Sequence, residues 1–269
     1  TPAAPRLLQE IPTDLAAAEA HWRAEPGARE AWVWYGRQLG YAGRFEEALA
    51  LYGDGLQRWP GDPVLLRHRG HRFLSVRDFE AARADLLCAA AAIEGQADEL
   101  ELDGAPNAHG VPTSSLHTNI WYHLGLACFF LGRDEEAARV FATCLALAPN
   151  DDMRVASAYW RCVVLFRLER AGEARALARV FVRELLLLES HDYAWLLRVF
   201  AGEEEIPAEL AGEPGSVAWL TRSFGLAVEE LARGENEAAR RRLATIVASG
   251  DSRAFGRLAA ELELARKAR

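Results

Sequence analysis

Three histidines, His109, His117 and His123, follow an acidic stretch containing Asp98, Glu99, Glu101 and Asp103. Imidazole nitrogens and carboxylates bind zinc, and without a metal they act as acids and bases. A zinc site needs three or four such groups converging at about 2.0–2.3 Å. Spacing alone does not achieve this: six residues of helix turn through about 600°, or 240° net, so His117 and His123 point to different faces. Only a folded-back loop brings His109 to either of them. The expectation is therefore hydrogen-bonded histidines that pin the loop, with no metal and no cofactor. Asp103, His109, His117 and His123 remain the residues of a second reading, an enzymatic or small-ligand site.

Cys128 follows His123 by five residues, a possible nucleophile and base. Cys128 nevertheless falls in an apolar helical stretch, as do Cys88, Cys144 and Cys162, and a buried thiol is unreactive. Buried thiols are expected at all four positions, with a Cys128–Cys144 disulfide left open. The chain has no G-x-S-x-G, no phosphate-cradling glycine loop and no H-E-x-x-H. Asp151 and Asp152 suit a helix N-terminus, and Glu203 to Glu205 reads as a solvated acidic run.

The elements that carry these residues read as helices. The chain has 269 residues, is 51% hydrophobic and has a formal net charge of −8. That charge argues against nonspecific binding to nucleic acid or anionic lipid. Lys267 is the single lysine, so nearly all positive charge is arginine, a composition that fits a GC-rich bacterial genome. No stretch approaches the roughly 20 apolar residues of a membrane span. The chain begins Thr1-Pro2-Ala3 without an initiator methionine. Two compartments stay open: the bacterial cytoplasm or, if a signal peptide preceded Thr1, the periplasm.

Trp32, Tyr35, Gly36 and Leu39 form one stripe of a first helix, and Gly43 marks a turn. Ala48, Tyr52 and Gly55 form a stripe of a second helix that Pro60 closes. The pattern returns with a constant offset of 89 residues, from Trp32 to Trp121, Ala48 to Ala137 and Pro60 to Pro149. A weaker copy, with Leu66, Gly70, Phe73, Ala82 and Leu86, follows the first by 34 residues. Small residues sit where two helices approach closely, and aromatics fill the space beside them.

This pattern resembles the tetratricopeptide repeat. The resemblance implies an all-α, right-handed superhelical solenoid of helix–turn–helix repeats. Its expected parts are a leading half repeat (12–28, with Thr13 as N-cap), repeat 1 (29–62), repeat 2 (63–94), an inserted loop (95–114), repeat 3 (115–150) and repeat 4 (151–188). Irregular short helices (189–215, one capped by Ser190), a degenerate repeat (216–250) and a C-terminal capping helix (251–269) complete the solenoid. The fourth copy is read from Leu165, Gly172, Ala174, Ala178 and Phe181. The segment from Asp103 to Gly125 is similar to one in bacterial tetratricopeptide proteins of no assigned activity.

In this family the first helices of successive repeats line a concave surface that holds peptides. Carried over by position, that surface comprises Val33, Arg37 and Tyr41, then Arg67, His71 and Ser75, then Asn119, Tyr122 and Leu126, with Tyr159 or Trp160 nearby. Arginine with aromatics suits a partner bearing carboxylates and apolar side chains. Some family members clamp a peptide C-terminus with Lys, Asn and Arg; Val33 and Leu126 stand where a clamp wants polar groups, so chaperone-tail binding is not expected. The leading reading is a non-catalytic scaffold with a protein or peptide partner. The rivals are the site where loop 95–114 meets repeat 3, and a structural or self-associating spacer.

Overall fold

The computed structural model describes residues 14–102, 107–207, 209–249 and 254–266. They contain thirteen helices: α1 (Leu15–Ala24), α2 (Arg29–Tyr41), α3 (Phe45–Arg58), α4 (Pro63–Ser75), α5 (Phe79–Ala92), α6 (Leu116–Phe130), α7 (Asp134–Leu147), α8 (Asp151–Arg167), α9 (Ala171–Arg179), α10 (His191–Ala201), α11 (Val217–Ala232), α12 (Asn236–Ser249) and α13 (Phe255–Arg266). Among the described residues the sole β feature is an isolated antiparallel bridge between Leu100 and Ser115. The chain divides into two compact units, Thr1–Ala127 and Cys128–Arg269.

Local chemistry starts and stops these helices. Asp14 accepts from the Ala17 amide at 2.8 Å, Asp62 from Leu65 at 2.9 Å, and Asn150 from Met153 at 3.0 Å. Each satisfies one of the amides that a helix start leaves without a partner. The expected cap Thr13 lies outside the described residues; Asp14 caps α1 in its place. Ser190 stands at the N-cap of α10 but makes no side-chain cap bond.

Six turns share one terminating geometry. A residue of positive φ follows the helix, and the next amide reaches back five residues: Arg44 to Leu39, Asp78 to Phe73, Arg133 to Cys128, Arg170 to Leu165, Glu203 to Arg198 and Glu235 to Glu230, all near 2.9 Å. This is the Schellman closure. Glycine supplies the left-handed residue at Gly43, Gly132, Gly202 and Gly234, but Arg77 (φ 66°) and Glu169 (φ 61°) supply it in the other two. Gly172 lies inside α9, so the turn of that helical pair is Leu168–Arg170 and not the glycine.

In the first unit Trp32, Tyr35 and Leu39 of α2 pack with Ala48, Leu51 and Tyr52 of α3, Leu65 of α4 and Ala18 of α1. The Trp22 ring stacks on Tyr35 at 5.2 Å and meets Trp32 edge-on at 5.4 Å. Rings of this size contribute roughly 2–3 kcal/mol each when buried. Leu66, Ala89, Ala90 and Ile93 form a further cluster with Ile120 of α6, which fastens α6 beyond the insertion to α4 and α5. In the second unit Trp160 sits among Phe129, Phe141, Tyr159 and Phe224, at centroid distances of 5.4–6.3 Å.

Asp152 does more than face a helix N-terminus. Its buried carboxylate accepts the backbone amides of Leu188, Glu189 and Ser190 at 2.8–3.2 Å and so ties the segment after α9 to the start of α8. Asp152→Asn removes the charge and turns one acceptor into a donor facing those amides. It should cost about 2 kcal/mol, with faster hydrogen exchange at the three amides; unchanged exchange there would refute the anchoring role.

All four cysteines are thiols. Cys128, Cys144 and Cys162 are buried, and burial pushes the Cys144 thiol up to about 12. Cys88, expected to be buried, is exposed because it lies on the outer side of α5. Among the described residues, no helix is long and apolar enough to cross a membrane.

Candidate functional site

The first unit holds a cavity of about 310 Å³. Arg37 and Tyr41 reach it from α2, Tyr52 from α3, Arg67, His68, His71 and Arg72 from α4, and Asn119 and His123 from α6. Glu101, Leu102 and Ser114 of the insertion complete the lining. Side chains one helical turn apart share a helix face, so His68 with Arg72, Arg37 with Tyr41, and Asn119 with His123 arrive as stacked pairs.

The insertion enters as an extended strip. Glu101 donates its amide to Ser114 O at 3.0 Å, and Leu116 donates to Glu99 O at 2.9 Å. Asp98 pins the returning chain: it accepts the Ser115 hydroxyl at 2.6 Å and the His117 amide at 3.0 Å. The strip delivers the Glu101 carboxylate into the cavity. There Glu101 meets Arg67 Nη2 at 3.1 Å, Arg37 Nη1 at 3.5 Å and His68 Nε2 at 3.5 Å, and accepts from Asn119 Nδ2 at 2.9 Å. Arg37 also donates to Leu102 O at 2.7 Å and lies over the Trp34 ring.

Burial sets the protonation states. It holds His68 and His71 well below the usual imidazole value, and His123 falls to about 3; neighbouring Arg67 and Arg72 add to the depression. The three rings are therefore neutral near pH 7. His123 donates from Nδ1 to Asn119 O at 2.6 Å, and its ring lies 4.3 Å from that of His71. Burial also lowers Arg67 and Arg72, because charge is costly away from water.

Six residues named from sequence, Arg37, Tyr41, Arg67, His71, Asn119 and His123, converge on this cavity. Tyr122 stands beside it, edge-on to His123 at 5.6 Å. Others fall elsewhere. Tyr159 and Trp160 are 1% and 2% exposed, because they build the aromatic core of the second unit and face no surface. Val33 and Leu126 are buried for the same reason, as packing residues. His109 is exposed in an Asn107 turn, and His117 is held by Asp98, so neither joins His123. Asp103 lies outside the described residues. No three His, Cys, Asp or Glu side chains among the described residues gather as a metal site.

Sequence reasoning passed over His68, Arg72 and the reach of Glu101. The run Arg67-His68-Arg69-Gly70-His71-Arg72 was a signal, since so basic a helix within an acidic protein needs a destination. Only Arg69 leaves this group, in a paired contact with Asp85 at 2.6 and 2.8 Å.

Two family models described as tetratricopeptide repeat match residues 29–72 and 118–151. None of the curated proteins matches the chain. A tetratricopeptide repeat protein from Parabacteroides merdae ATCC 43184 has a similar solved structure, with 15% identity and a TM-score of 0.51 over 92% of this chain and 90% of that one. YrrB, described as a tetratricopeptide protein with an unusual peptide-binding site, is 15% identical with a TM-score of 0.48, over 91% of this chain and 98% of its own. The matched segments contain the Trp32 and Trp121 copies of the pattern, and the described residues form an all-helical fold: the chain carries tetratricopeptide repeats in those two segments.

Proposed function

We propose that the protein is a non-catalytic interaction module that holds an extended acidic segment of another protein against α2, α4 and α6 of its first unit. Tetratricopeptide repeats in general mediate contacts between proteins. The observation that supports the finer reading is the path of residues 99–102. This strip of the chain's own insertion lies extended against the first helices, its carboxylate taken by Arg67 and Asn119 and its carbonyl by Arg37. With that strip displaced, the same face has the donors that a partner's extended, Glu-bearing segment needs, and main-chain and carboxylate acceptors in one strip are what arginine forks recognise. Tyr41, 44% exposed at the end of α2, offers the rim an apolar surface with a polar tip.

An array of extended acidic peptides, followed by fluorescence anisotropy, tests this. Saturable binding is expected, weakened about tenfold by Arg37→Gln, the loss of one charged hydrogen-bonding group, and several-fold by Tyr41→Ala. Helical circular dichroism should not change. Peptide binding that neither substitution weakens, or no peptide binding at all, would sink the proposal.

A further inference from the structure

The cavity between α2, α4 and α6 is chemically one-sided. Among its described lining residues three guanidinium groups, Arg37, Arg67 and Arg72, face one carboxylate, Glu101. The lining histidines are neutral near pH 7 and bring no opposing charge. Arg37 and part of Arg67 are engaged by the insertion. Arg67 is only 6% exposed, yet its Nε has no hydrogen-bond partner. The Arg72 guanidinium makes neither a hydrogen bond nor an ion pair with any described residue; it lies over the Phe45 ring, its carbon 5.9 Å from the ring centroid. An orphaned N–H in a buried guanidinium costs free energy unless something accepts from it. Charges left in low dielectric likewise call for a counter-charge.

We propose that this cavity is a binding site for a phosphate group, with Arg72 and the Nε of Arg67 as its principal donors. A phosphate carries about −1.5 to −2 near pH 7 and spreads its acceptors over a tetrahedron. Among the described lining residues Glu101 is the one carboxylate, and a phosphate supplies the further counter-charge that the Arg72 guanidinium calls for. The phosphate's three terminal oxygens also offer more acceptor sites than the two oxygens of a carboxylate. The volume, about 310 Å³, lies at the small end of ligand cavities, roughly 300–1,000 Å³, and leaves space for the group that carries the phosphate. The inference goes beyond the partner reading, since free phosphate needs no peptide.

Gly40 offers a probe that leaves every cavity side chain chemically intact. A Cβ added there would stand 1.9 Å from Arg72 Nη1, the far end of a flexible side chain, so alanine displaces the guanidinium while the helix keeps its backbone. Inorganic phosphate is titrated into the full chain by isothermal calorimetry, with sulfate, succinate and an O-phosphoserine peptide as separate arms. Saturable phosphate binding is expected, weakened at least tenfold in both Arg72→Gln and Gly40→Ala, with both variants folded by circular dichroism. Phosphoserine peptide binding at least tenfold tighter than free phosphate assigns the group to a modified protein; comparable affinities assign it to a small molecule. No saturable phosphate binding by the wild-type chain, binding unaffected by both substitutions, or succinate binding as tightly as phosphate would each overturn the proposal. Because the proposal stands or falls on free phosphate and its comparison with succinate, a failure here leaves the acidic-segment reading to its own peptide test.

Discussion

Gly36→Ala should lower the stability of the protein by about 3 kcal/mol, at the upper end of what overpacking a core costs. The added Cβ would lie 2.2 Å from Tyr52 Cζ and 2.5 Å from its Cε1 and Oη. The Tyr52 ring is held in place by its contacts. It is 1% exposed, its hydroxyl donates to Val33 O at 3.2 Å, and it stacks against His68. Alanine's helix propensity returns only about 0.5–1 kcal/mol. Gly40→Ala, four residues on in the same helix, is the matched control. Its Cβ meets the tip of Arg72 rather than a buried ring, so its stability should stay within about 1 kcal/mol of wild type. Urea denaturation followed by tryptophan fluorescence compares the two, and equal midpoints would refute the close crossing of α2 and α3.

Lowering the pH from 6.5 to 5 should destabilise the fold well before the carboxylates titrate. His68, His71 and His123 are held neutral by burial, His123 down to about 3. Above pH 6.5 neither the folded nor the unfolded chain protonates them, and their contribution is constant. Below 6.5 the unfolded chain takes up protons that the folded chain refuses. Stability then falls by roughly 1 kcal/mol per pH unit for each such histidine, until the pH approaches the folded value. With three of them the slope reaches several kcal/mol per unit. Thermal melts at half-unit steps should show it, and His123→Gln, which keeps a donor for Asn119 O, should remove about a third. A melting temperature flat between pH 6.5 and 5 would mean that these rings are not kept neutral.

The two segments with the fullest pattern, around Trp32 and Trp121, were legible in the sequence, and they are the two that the family models match. Small residues opposite large ones are a local code: Gly36 meets Tyr52 and Gly70 meets Leu86 because both members of each pair lie on adjacent helices at fixed spacing. Weaker copies were harder to read because the left-handed turn residue need not be glycine. Arg77 and Glu169 adopt positive φ there, held by the backward amide bonds of Asp78 and Arg170. A reader relying on glycine therefore lands on Gly172, which is helical.

Periodicity, small-residue spacing and turn chemistry determined the helices and the repeat family from the sequence alone, since each depends on neighbours within a helical pair. The composition of the cavity was decided by the tertiary structure. Glu101 reaches Arg37 across 64 intervening peptide bonds, and the contact exists only because Asp98 and Ser114 fold the insertion back onto α6. Burial likewise sorted equivalent positions differently: Asn119 and His123 line a polar cavity, while Tyr159 and Trp160 fill an aromatic core. Which face of a helix meets solvent, a loop or another helix depends on the path of chain distant in sequence, and no local spacing encodes that path.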